Sequence, residues 1–173
     1  FVPAFKEDIF FNYKEVISKL PLVKAMLNSL SYIIVIIALG LIVNSMAGYA
    51  FARLKFPKKN LLFALILAVM IIPAQTVMLP QFSIIYKMGL SNSYLALILP
   101  AIASPMYIFL FRQNFMGIPE SIEEAAKLDG ASAIRTFFQL IVPLAKPVYA
   151  TVGILVFIAC WNDFVWPVMV ISD

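Results

Sequence analysis

The sequence predicts an all-α integral membrane protein, a polytopic bundle of helices, and three observations carry that prediction. Of 173 residues, 63% are hydrophobic and only 13% are charged, whereas a soluble domain is usually about half apolar with roughly a quarter of its residues charged. The mean hydropathy is +0.97. Stretches 25–52, 60–86 and 88–111 carry no charged side chain. Each is longer than the roughly 20 residues an α-helix needs to cross the hydrocarbon core.

Taken in order, residues 1–24 mix aromatics with Lys and Glu, which suits an extracytoplasmic lead-in near the membrane surface. Span one runs from about Ala25 to Ala52. Gly40, Asn44, Gly48 and Ala52 recur every fourth residue and share one face of little bulk, the kind of face on which helices approach closely in lipid. Span two runs from about Asn60 to Leu79, with Pro73 inside it and Pro80 at its end. A kink is expected at Pro73, because proline removes a backbone donor. QFSIIYKMGLSNS then reads as a short outer helix and a turn closed by Gly89 and the Ser/Asn cluster. Span three, about Tyr94 to Phe111, holds Pro100 and Pro105, and the carbonyls they free need neighbours or water. Span four begins at 143–147 and reaches Trp166, near the WNDFVWP run. An aromatic belt at the lipid–water interface accounts for the two tryptophans, but Asp163, a carboxylate near membrane depth, calls for a partner or water.

The 13 basic residues lie in turns and flanks. With 53–59 and 112–146 on the cytoplasmic side, the inside carries Arg53, Lys55, Lys58, Lys59, Arg112, Lys127, Arg135 and Lys146. The outside carries Lys6, Lys14, Lys19, Lys24 and Lys87. That asymmetry follows the positive-inside rule and explains the net charge of +4 without nucleic acid. There is no His, and Cys160 is the one cysteine, which excludes an internal disulfide and a Cys/His metal cluster. The six glycines stand singly, with no G-x-x-x-x-G-K-[ST] phosphate loop. The chain opens on Phe1 and stops just after an apolar segment, so it reads as part of a longer protein.

The segment that interrupts this pattern is EEAAKLDGASAIRTFFQLIVPLAKP, residues 123–147. Ser121-Ile122-Glu123-Glu124 fits the S-x-x-E capping box, in which the Ser hydroxyl and the Glu carboxylate satisfy each other's backbone N–H. Both glutamates fall at the positive end of the helix dipole. Asp129-Gly130 ends the helix, the glycine being free to turn left-handed. Ile122, Ala125 and Ala126 make a patch with almost no bulk, suited either to a groove on another protein or to a snug turn between membrane helices. Ile134, Phe137, Phe138 and Ile141 then follow i, i+3, i+4, i+7, the period of an amphipathic helix.

These residues resemble the EAA loop of ABC-importer permeases, whose pattern is EAA, three residues, Gly, nine residues and I-x-L-P. Here Glu124-Ala125-Ala126 is followed at that spacing by Gly130, Leu140, Val142 and Pro143. Leu27-Asn28-Ser29, YAFARLKFP, IIPAQTVMLPQF, KMGLSNSY and WNDFVWP extend the likeness to the carbohydrate-uptake branch, and in particular to the second permease of maltose-type systems. The resemblance implies a single transmembrane permease domain over 1–173, with about four of the six helices of a type I importer subunit present. It makes 117–142 a cytoplasmic coupling loop, with Glu123, Glu124, Ala125, Ala126, Asp129, Gly130 and Pro143 facing the ATPase. It also implies a sister permease, two cytoplasmic ATPase subunits, an extracytoplasmic sugar-binding protein, and a bacterial or archaeal inner membrane. On that basis this chain is not itself an enzyme and binds no cofactor, ATP being used by the partner subunit.

Asn28, Ser29, Ser31, Asn44, Ser45, Gln75, Thr76 and Gln81 offer neutral donors and acceptors within the spans. Such groups suit hydroxyl-rich cargo and helix packing equally. Asn28, Asn44, Gln75, Asn162 and Asp163 are therefore the candidate pathway residues. The alternative is an ion-coupled secondary transporter or channel subunit, which normally places ionisable groups at mid-membrane. The three long spans carry none. An intramembrane enzyme would need an acid, base or metal that this composition does not supply.

Overall fold

The computed structural model describes residues 10–19 and 21–171. Residues 1–9 of the expected lead-in lie outside that range, as do Lys6 and the two C-terminal residues. The described residues form helices joined by short turns, with no strand among them. Helix α1 is Phe11–Lys19, α2 is Leu22–Arg53, α3 is Lys59–Val69, α4 is Ala74–Lys87, α5 is Tyr94–Ala101 and α6 is Pro105–Met116. Then come α7 (Glu120–Leu128), α8 (Ala133–Thr136), a π-helical turn (Phe137–Ile141), α9 (Val142–Leu144), α10 (Lys146–Trp161) and α11 (Val165–Val170).

Helix α2 is the one unbroken helix long and apolar enough to cross a membrane, and counting each of three bent pairs as one span gives up to four among the described residues. The bends correct the simpler expectations. Pro73 does not kink a continuous second span; α3 and α4 meet at 101° across residues 70–73, and Pro73 caps the start of α4. Proline cannot accept the helical geometry from the residue before it and has no N–H to give. The chain therefore leaves α3 through tightened turns, Ile71 N–H to Ala68 and Ile72 N–H to Val69. Alone, α3 rises about 16 Å, too little to cross the hydrocarbon core. Pro80 lies inside α4, which absorbs the expected short outer helix. Span three breaks between α5 and α6 by 43°, with Pro105 opening α6. The fourth ends its long helix at Trp161 and restarts at Val165.

The small-residue face of α2 meets α5 and α6. Gly40, Asn44 and Gly48 are buried there, and a Cβ on Gly48 would stand 2.6 Å from the Cβ of Phe111. Two clusters of buried side chains result. The larger joins Ile36 and Tyr49 of α2 to Phe111, Phe115, Phe137, Ile141, Val148, Val152 and Val156. The smaller joins Ile85, Ala96, Leu97, Trp166 and Val170. Large apolar side chains such as Ile34, Leu39, Leu65 and Ile154 remain exposed along the helices, as lipid-facing or partner-facing surfaces require.

The tryptophans separate. Trp161 is exposed, but Trp166 is buried and donates its indole N–H to the Ala96 carbonyl at 3.0 Å. An interfacial belt therefore does not describe Trp166, which ties α11 back to α5.

Candidate functional site

Three turns gather at one end of the bundle: α2–α3, α6–α7 and the segment after α7. Their cations satisfy helix ends. The last carbonyls of a helix lack intrahelical partners and carry negative partial charge. Lys59 donates to the carbonyls of Ala52 and Leu54 at 3.1 and 3.0 Å. Arg112 donates to the Phe51 carbonyl at 3.2 Å and lies 4.1 Å above the Phe63 ring, a cation–π contact. Arg53 reaches furthest. Its guanidinium donates to the carbonyls of Phe115, at 2.7 Å, and Ile118. It also pairs with Glu123 at 2.8 Å and with Glu120 at 3.2 Å. The 53–59 turn and the EAA segment thus share one end, as the charge pattern expects.

Helix α7 starts directly after Pro119, whose φ of −57° and ψ of 132° turn the chain, and no side chain caps it. The Ser121–Glu124 capping box is therefore not made. Ser121 already lies within the helix, and Glu120 and Glu123 supply the negative charge of its first turn. At the other end Gly130 has φ +76°. Ala131 N–H reaches back to the Ala126 carbonyl at 2.9 Å and Gly130 N–H to Lys127 at 3.0 Å, a left-handed closure that glycine enters without strain.

The faces of α7 divide the candidate coupling residues. Glu123 and Ala126 are buried, one turn apart on the inner face. Glu124, Ala125 and Asp129 are exposed, and Leu128 is 90% exposed. Glu123 is held by α2, its Oε1 against Arg53 and its Oε2 accepting from the Tyr49 hydroxyl at 3.0 Å. The low-bulk patch is split likewise. Ile122, Ala125 and Ala126 border a cavity completed by Asp129, Ala131, Arg135, Thr136, Gln139 and Leu140, so small side chains here also let α7 close on its own chain. Pro143 is exposed within α9.

The expected amphipathic helix after Gly130 takes another form. Ser132 caps α8 by accepting from Arg135 N–H at 3.3 Å, and the π-helical turn follows. Its wider turn sends Phe137 and Ile141 into the core, where Phe137 lies 5.1 Å from the Tyr49 ring. Ile134 and Phe138 stay exposed.

The candidate pathway residues are dispersed. Asn44 is fully buried. Its amide donates to Gly40 and Ile102 carbonyls at 2.6 and 2.9 Å and accepts from Ser104 N–H at 2.8 Å. It staples the α5–α6 break and lines no open space. Asn28 borders a cleft with Ser29, Tyr32, Asn92 and Tyr94. Gln75 is exposed in the first turn of α4. Asn162 and Asp163 sit at the α10–α11 break beside Ser104 and Tyr107. The Asp163 carboxylate accepts from Trp166 N–H at 3.2 Å and also faces a cavity with Tyr32, Gln81 and Cys160.

Sequence reasoning did not single out Arg53, Tyr49 or Glu120 as members of this site. A signal existed: Tyr49 and Arg53 are i, i+4 on one helix face, and neighbouring glutamates on a helix point about 100° apart.

Residues 37–173 match the family described as binding-protein-dependent transport system inner membrane component. The chain is 41% identical over 146 residues to the arabinooligosaccharides transport system permease protein AraQ of Halalkalibacterium halodurans, covering 84% of this chain and 52% of that one. It is 36% identical over 148 residues to the sn-glycerol-3-phosphate transport system permease protein UgpE of Pectobacterium atrosepticum, covering 86% and 53%. Among solved structures it is similar to a chain of a bacterial ABC transporter involved in the import of the acidic polysaccharide alginate. That match has a TM-score of 0.79 at 27% identity and covers 84% of this chain and 51% of that one. The chain spans about half the length of the curated relatives it matches.

Proposed function

Because the chain belongs to the family of binding-protein-dependent transport system inner membrane components, we propose that it is part of the permease subunit of an ATP-driven importer of hydroxyl-rich carbohydrate. In this reading 1–173 is one permease domain, and 117–142 faces the cytoplasm and receives the ATPase. A sister permease completes the pathway, and an extracytoplasmic binding protein delivers the cargo.

The observation that carries the reading is the two-faced helix α7. Its inner face is fastened to α2 through Glu123, while Glu124, Ala125, Lys127 and Leu128 project outward ahead of the Gly130 closure. A nine-residue helix is too short to persist alone, and a large exposed apolar residue on it, Leu128, suits a protein groove. ATP closure of the partner would displace α7 as a body and shift the broken spans. The cargo class is supported by the relatives, whose names concern an oligosaccharide, a polyol phosphate and a polysaccharide. Polar side chains beside the α10–α11 break, Ser104, Tyr107, Asn162 and the Asp163 carboxylate, can hydrogen-bond to hydroxyl groups of such cargo.

The test is a detergent pull-down of the full-length permease, assembled with its sister permease, against its ATPase. Wild type should retain the ATPase and Glu124→Lys should lose it. No retention by wild type would contradict the reading.

A further inference from the structure

We infer that Arg53 is the positioning residue that makes the end of α2 and the α7 helix a single moving part, so that force applied to α7 reaches the longest span directly. The inference rests on the reading of α7 as the ATPase-facing helix and names the linkage behind it.

The geometry is unusual for an ion pair. The side chains of Arg53 and Glu123 are 7% and 8% exposed. One guanidinium donates hydrogen bonds to the carbonyls of Phe115 and Ile118 and to the Glu120 carboxylate, and its Nε lies 2.8 Å from Glu123 as an ion-pair contact without hydrogen-bond geometry. A planar fork of five donors can hold such a set at once, whereas an ammonium on a flexible stem cannot. The second oxygen of Glu123 belongs to Tyr49, one turn earlier on α2. Both oxygens of one carboxylate thus face side chains of one helix, Oε2 hydrogen-bonded and Oε1 ion-paired. Rotation or tilt of α7 against α2 would strand a buried charge.

Burial of this kind is a poor source of stability, because desolvation cancels most of the Coulombic gain, and apolar residues of equal volume hold helices together as well. What the arrangement supplies is a fixed angle. Gly48, one residue before Tyr49, presses the same stretch of α2 onto Phe111 of α6, and Tyr49 packs on Phe115 and Phe137. Displacement of α7 therefore carries α2, α6 and the π-helical turn with it. Helix α3 has no hydrogen bond or ion pair to α7 among the described residues.

The experiment uses the full-length permease assembled with its sister subunit and ATPase in nanodiscs. Spin labels are placed at Lys55→Cys and Ser121→Cys, both exposed positions, and distances are read without nucleotide and with a non-hydrolysable ATP analogue. One unchanged distance is expected, broadening when Arg53→Met is added. A distance that changes between nucleotide states overturns the inference. The double variant Arg53→Met/Glu123→Met leaves no orphaned charge. It should assemble and hydrolyse ATP, yet move at least about fivefold less sugar per ATP, the low end of site-to-site coupling. Wild-type uptake per ATP in the double variant, or its failure to assemble, would reduce the pair to packing and overturn the positioning role. Failure of wild type itself to retain the ATPase would count against the proposed function instead.

Discussion

Gly48 of α2 lies so close to Phe111 of α6 that a methyl group in its place would meet the Phe111 Cβ at 2.6 Å and the Arg112 backbone nitrogen at 3.0 Å. Neither obstacle is the flexible end of a side chain. Gly48→Ala should therefore force the two helices apart and lower stability by about 1–3 kcal/mol, the usual range for overpacking. Gly153 is the control: its nearest neighbour is the Ile37 Cγ2 at 3.9 Å. Thermal unfolding in detergent should show a fall for Gly48→Ala and little change for Gly153→Ala.

Asn44 holds the break in the third span through both ends of its amide. Asn44→Leu keeps the volume but leaves the Ile102 carbonyl and Ser104 N–H without that partner, at about 1–3 kcal/mol for a buried unsatisfied group. Hydrogen exchange at the amides of residues 101–104 should accelerate in the variant. Unchanged protection there would remove Asn44 from the hinge.

Trp166 and Trp161 should answer differently to the same substitution. Trp166→Phe removes the indole bond to Ala96, worth about 0.5–1.5 kcal/mol, whereas exposed Trp161 has no such bond among the described residues. The melting temperature should drop for Trp166→Phe only.

At Gly130 space is open and φ is +76°, so backbone strain alone decides. Gly130→Ala should cost roughly 1–2 kcal/mol for a left-handed L-residue, and Gly130→Asn less, since asparagine visits that region more readily. Equal melting temperatures for the two variants would contradict the conformational argument.

Much of the architecture is legible from uncharged length and small-residue spacing. The bounds of α2 and the Gly40–Gly48 face follow from residues that have one sensible role in lipid. The breaks were less legible. Pro73, Pro100 and Pro105 mark places where helix geometry is hard to continue, but proline chemistry does not set an angle. The 101° turn and the 43° bend depend on what packs alongside, such as Asn44 against Ile102. The site divides in the same way. The closure at Gly130 is local grammar, written in Asp-Gly. The burial of Glu123 is not local, since its partners Tyr49 and Arg53 lie 74 and 70 residues away and meet it only through the α2–α6 packing. The capping box failed because Pro119 starts the helix before Ser121 can cap it.

The most direct measurement of the central claim is ATP-driven uptake of a labelled oligosaccharide into vesicles carrying the complete transporter, with wild type, Glu124→Lys and Gly130→Pro compared at equal membrane levels. The account predicts uptake in wild type and none above background in either variant, because one alters the exposed face of α7 and the other its closure. Wild-type uptake in both variants would contradict the assignment of α7 as the helix through which the ATPase drives transport.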